Sequence, residues 1–65
     1  MKLSTYEGKK ARIEAIDGQT FYGVVTDYIF PEDNEPEGES IVLRTLQNVH
    51  IEFRKEEIKN IELIK

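Results

Sequence analysis

The sequence predicts an all-β fold: five antiparallel strands bent strongly into a small barrel. Three observations predict it. Apolar and polar residues alternate with period two in short runs, the pattern of half-buried strands. Turn-forming residues separate those runs at short intervals, as in small barrels and sandwiches. The longest run contains a glycine and switches its apolar parity partway, which marks a bend or a bulge.

At the N-terminus, Ser4 and Glu7 have the spacing of a capping box, and Gly8 can end a turn. Two readings stand for this stretch: one short helical turn laying Leu3 and Tyr6 on the barrel, or an irregular leader. Lys10 to Ile16 then alternates, with Ala11, Ile13 and Ala15 on one face and Lys10, Arg12 and Glu14 on the other. Asp17-Gly18 follows as a hairpin signal, because glycine takes positive φ without steric cost.

The second strand is expected from about Thr20 to Phe30. Phe21, Gly23 and Val25 share a face, while Tyr28 and Phe30 have the other parity. Gly23 is the expected corner, since long strands that bend at glycine are how small barrels close. Pro31, Pro36 and Gly38 make residues 31–39 a loop. The third strand is Ser40 to Thr45, with Ile41 and Leu43 inward and Arg44 outward. After the Gln47-Asn48 turn, Val49, Ile51 and Phe53 alternate with His50, Glu52 and Arg54 in a fourth strand. A charged turn, Lys55-Glu56-Glu57, leads to a fifth from Ile58 to Ile64, with Ile61 and Leu63 expected inward.

A 65-residue chain reads as a single domain. It buries only about 60% of its unfolded surface, and its core supplies roughly 3–5 kcal/mol. No cysteine is present, which excludes disulfides and thiolate metal sites, and a lone His50 argues against a histidine zinc site. No metal or other cofactor is expected. No apolar leader follows Met1 and no run approaches the ~20 apolar residues of a membrane span, so a cytoplasmic location away from membranes is expected. The net charge of −4 comes from one segment. Residues 31–39 (PEDNEPEGE) hold Glu32, Asp33, Glu35, Glu37 and Glu39 with no base, against eight acids and nine bases elsewhere. The composition lacks the overall basic balance typical of nucleic-acid binders.

Within this frame, Ile16-Asp17-Gly18-Gln19-Thr20-Phe21-Tyr22-Gly23-Val24-Val25-Thr26-Asp27-Tyr28 resembles the first motif of the Sm-like family. The shared pattern is an apolar residue, the Asp-Gly turn, an apolar residue, a spaced glycine, then an apolar and an aromatic residue. Ile51 to Leu63 resembles the second motif, with Arg54 where the family has arginine. The resemblance covers nearly the whole chain. It implies an SH3-like/Sm-like barrel, binding of single-stranded RNA, and homo-oligomeric rings formed by pairing strand four of one subunit with strand five of the next. The segment Ile51–Leu63 is also similar to the C-terminal barrel of the ribosome maturation factor. The departures lie at the RNA-contact positions. Ile29 stands where the family usually has Asp, Asn34 comes late for its Asn, and Lys55 replaces the glycine after the arginine.

Catalysis is not expected. His50 falls on the outer face of strand four beside Glu52 and Arg54, a solvated position, and no nucleophile elbow or phosphate loop is present. The acidic loop lacks the spacing of a calcium loop and reads as a solvated segment. Two binding roles remain open. In one, an oligomeric module holds single-stranded RNA through Phe30, Asn34, Arg54 and Lys55, with Phe30 stacking on a base; the plainer role for Tyr28 and Phe30 is to cap the core. In the other, RNA binding is lost and Glu32, Asp33, Glu35, Glu37 and Glu39 meet a basic protein. Lys9, Lys10 and Arg12 read as a solvated strand face. Lys59, Glu62 and Lys65 could blunt the edge of strand five in a monomer.

Overall fold

The computed structural model describes residues 2–30 and 38–64. In chain order the elements are a 3₁₀ turn (Leu3–Tyr6), β1 (Lys10–Ala15), β2 (Thr20–Ile29), β3 (Ser40–Thr45), β4 (His50–Arg54), a second 3₁₀ turn (Lys55–Glu57) and β5 (Ile58–Leu63). The strands form one antiparallel sheet in the order β4-β3-β2-β1-β5. The fold is all-β, as the alternation predicts.

Most strands turn alternate positions into one core, and β5 turns in two positions separated by a bulge. Ala11, Ile13 and Ala15 of β1, Val25 of β2, Ile41 and Leu43 of β3, Phe53 of β4, and Ile58 and Ile61 of β5 are buried together with Leu3. Tyr6, Phe21, Tyr28 and Ile51 pack around them. The Phe21 and Phe53 rings lie 5.3 Å apart at 60° although β3 separates their strands in the sheet. That contact requires the sheet to curl, which puts the apolar faces of β2 and β4 against each other.

The curl has two local sources. Between Val25 and Asp27 the β2–β3 register shifts, so Thr26 is the extra residue that reverses the parity of Tyr28. At Gly23 the sheet is tighter than a side chain allows, since a Cβ there would sit 2.1 Å from the Arg44 carbonyl oxygen. The parity switch and the in-strand glycine read in the sequence correspond to these two features.

The N-terminal stretch forms the turn, with Leu3 fully buried and Tyr6 half-buried. The capping box does not form. Lys2, not Ser4, takes the N-cap position, no side chain caps the turn, and Ser4 lies inside it. Backbone hydrogen bonds hold the stretch instead: the Gly8 N–H donates to Val25 (2.7 Å) and the Val25 N–H to Lys9 (2.9 Å).

The fifth strand needs a correction. Leu63 is 51% exposed, and the buried residues of β5 are Ile58 and Ile61. Glu14 pairs with Asn60 while Ala15 pairs with Ile58, so the chain bulges at Lys59 and brings Ile58 to the core side. Leu63 pairs with Ala11, but β5 is an edge strand, and among the described residues no strand lies beyond it to cover that side chain. On β4, Val49 precedes the strand and is also exposed.

Candidate functional site

The end of the sheet near residues 31–39 brings several of the sequence candidates together. Ile29 pairs with Ser40, and Ser40 with Arg54, so the end of β2, the start of β3 and the end of β4 lie side by side. Phe30, Glu39, Arg54 and Lys55 therefore share one rim. Phe30 is half exposed and meets the Tyr28 ring edge-on at 5.0 Å.

The cations of this rim are already engaged. The Lys55 ammonium lies 3.5 Å from a Glu39 carboxylate oxygen, and the other Glu39 oxygen accepts a hydrogen bond from the Tyr28 hydroxyl. Arg54 Nε lies 3.7 Å from Glu57, whose carboxylate also accepts the Arg54 backbone N–H at 2.8 Å. Buried Ser40 donates to Glu52 at 2.7 Å. An incoming phosphate would compete with these carboxylates for Arg54 and Lys55. Asn34, Glu32, Asp33, Glu35 and Glu37 lie outside the described residues.

Gly18 has φ of +93°, and the Asp17 carboxylate accepts hydrogen bonds from the backbone and side-chain amides of Gln19. His50 is exposed on the outer face. Among the described residues, no group of His, Asp and Glu is arranged to hold a metal ion, and no helix is long and apolar enough to cross a membrane.

A second concentration of features lies on the outer face of the sheet. Lys10 pairs with Val24, Val24 with Arg44, and Arg44 with His50, a row running across β1, β2, β3 and β4. A pocket of about 400 Å³ opens beside it, with Lys10, Tyr22, Val24, Arg44, Leu46 and Ile64 in its lining. Among the described residues, the ion pairs engage Arg12, Arg54, Lys55 and Lys59, and neither Lys10 nor Arg44. Arg12 is held by Glu62; the hydrogen bond, and then the charge of that carboxylate, raise the guanidinium pKa above its ordinary value.

By sequence alone Lys10 reads as part of a solvated strand face, and nothing in the local pattern but parity marks the pocket. The available signal was parity: Tyr22 and Val24 are apolar or aromatic at outward positions of β2.

No protein-family model, curated protein or solved structure matches this chain. By architecture the chain is a small all-β protein built on one bent five-stranded antiparallel sheet.

Proposed function

We propose that the chain is a non-enzymatic binding module of the Sm-like kind, with single-stranded RNA as its ligand. The observation that carries this reading is the gathering of half-exposed Phe30 with Arg54 and Lys55 on one rim. Single-strand recognition needs an aromatic platform next to positive charge. The two motif resemblances support the same reading, since one falls on the β1–β2 turn and β2, the other on β4, the second 3₁₀ turn and β5.

The edge strands β4 and β5 are the ones that the family pairs between subunits, and pairing them would satisfy edges that otherwise invite aggregation. Half-exposed Leu63 on the β5 side would gain cover from such a contact.

The test is the affinity of a fluorescein-labelled single-stranded RNA for the wild type and for the double variant Phe30→Ala, Arg54→Ala, followed by anisotropy. Both side chains are exposed, so circular dichroism of the variant should match the wild type. The double variant should bind at least tenfold more weakly. Equal affinity would remove Phe30 and Arg54 from the interface.

A second reading is favoured by the carboxylates that neutralise the rim. With Glu39 on Lys55 and Glu57 on Arg54, the rim offers little net positive charge. In that reading the acidic stretch 32–39 meets a basic protein. Neutralising Glu32, Asp33, Glu35 and Glu37 should then weaken the complex at low salt and matter less at high salt. The sign of the partner separates the two readings.

A further inference from the structure

The outer face of the sheet carries a pocket in which two cations, Lys10 and Arg44, lie beside half-exposed Tyr22. Lys10, Tyr22, Val24 and Arg44 point outward because their chain neighbours Ala11, Val25 and Leu43 are in the core. In the sheet Lys10 and Arg44 flank Val24 on its two sides. Two strand spacings put their backbones about 10 Å apart, within reach of one ligand strand for two long side chains.

Three properties of this pocket point to an anionic ligand with a flat apolar part. First, its charge has one sign. The chain has 13 acidic and 9 basic residues, yet the lining holds Lys10 and Arg44 and, among the described residues, no Asp or Glu. Second, those two cations are in no ion pair among the described residues, unlike Arg54 and Lys55 on the rim. Among the described residues, no carboxylate has to be displaced before they accept phosphate. Third, the apolar lining is uncovered: Tyr22 is 50% exposed, Leu46 83% and Ile64 37%. A ring stacked on Tyr22 would cover part of that surface.

We infer that this pocket is a second contact surface for single-stranded RNA, in which Tyr22 stacks a base and Lys10 and Arg44 hold the flanking phosphates. The inference rests on the RNA reading above, and it assigns RNA contacts to a face separate from the Phe30 rim.

The test compares binding of one labelled single-stranded RNA across a salt series by wild type, Tyr22→Ala, Tyr22→Phe, and the double variant Lys10→Ala, Arg44→Ala. These side chains are exposed or carry no core contact, and circular dichroism checks that each variant folds. Tyr22→Ala should lose about tenfold in affinity while Tyr22→Phe, which keeps the ring, stays near wild type. The Lys10/Arg44 variant should bind more weakly, and its salt slope should fall by about 1.4 as two phosphate contacts disappear.

RNA binding that is unchanged in the Tyr22→Ala and Lys10/Arg44 variants would overturn the pocket and leave the RNA reading standing. Failure of the wild type to bind RNA even at low salt would overturn both. Capture in the pocket of an acidic peptide in place of RNA would overturn the assignment of its ligand.

Discussion

Replacing Gly23 with alanine tests whether the bent sheet depends on close backbone approach. A methyl at this position would lie 2.1 Å from the Arg44 carbonyl oxygen, 2.8 Å from its carbon and 3.0 Å from Thr45 Cα. Non-bonded carbon contacts settle near about 3.5–4.0 Å, so β3 must retreat by roughly 1 Å or more. These neighbours are backbone atoms of a paired strand and cannot rotate away. A retreat of that size carries the local N–H···O distances out of their range. Loss of two ladder hydrogen bonds costs about 2 kcal/mol, and the overpacking strain adds ~1–3 kcal/mol. The alanine regains about 0.5 kcal/mol by restricting the unfolded chain. The net loss is then about 3 kcal/mol, most of the roughly 3–5 kcal/mol that a core of this size supplies.

Urea unfolding followed by far-ultraviolet circular dichroism is the assay. With a slope near 1 kcal/mol/M for so small a protein, the midpoint should fall by about 3 M. Gly18→Ala is the companion variant. Its φ of +93° strains an L-residue, but nothing lies within 4 Å of the added methyl, so it should cost only about 1–2 kcal/mol. A Gly23→Ala protein within about 0.5 kcal/mol of wild type, the spread of ordinary surface changes, would refute the argument. So would a larger loss for Gly18→Ala than for Gly23→Ala.

Other substitutions probe separate parts of the fold and the rim. Leu3→Ala should destabilise by about 2–3 kcal/mol, read as a lower thermal midpoint, because a fully buried side chain is cut from the core. Ser40→Ala should cost about 1 kcal/mol in a urea titration, since it removes the donor to Glu52 at a buried position. Ile58→Ala should cost about 2–4 kcal/mol, whereas Leu63→Ser should leave the monomer within about 0.5 kcal/mol. A change of solution mass in the Leu63 variant would instead place that residue in an intersubunit contact. Glu39→Gln releases Lys55 from its ion pair, so RNA affinity should rise and the salt slope should steepen by about 0.7.

The strands were legible because one face of each is buried, and burial of one face writes period two into the chain. The bend in β2 was legible for the same reason, since Thr26 shifts Tyr28 to the other parity while Tyr28 still packs against the core. The bulge at Lys59 was not. It is imposed by the register against β1, where Ala15 meets Ile58 and Glu14 meets Asn60 from far along the chain, and local alternation carries no sign of it. Ile58 was consequently passed over and Leu63 overvalued. The capping spacing at Ser4 and Glu7 failed because the turn is a single 3₁₀ turn beginning two residues earlier than that motif requires, with Lys2 as its N-cap.

On the rim, the sequence identified Phe30, Arg54 and Lys55 but could not show that Glu39 and Glu57 neutralise the two cations. Such pairing depends on which strand ends meet. The outer pocket was hidden for a related reason. Lys10, Tyr22 and Arg44 sit on three different strands and become neighbours only through register.

The place of β1 in the sheet also bears on how fast the protein reaches its native state. One edge of β1 is taken by β2, its neighbour across a short turn, and the other by β5, with Arg12 and Glu62 meeting across 50 positions. The hairpin side can close early, while the β5 side must wait for a long stretch of chain to be drawn in, which costs entropy before any contact repays it. Folding on the millisecond-to-second scale of barrels rich in distant pairings is therefore expected, rather than the microseconds of local folds. Substitutions in β5 should act mainly by hastening unfolding, and those in the β1–β2 hairpin by slowing folding.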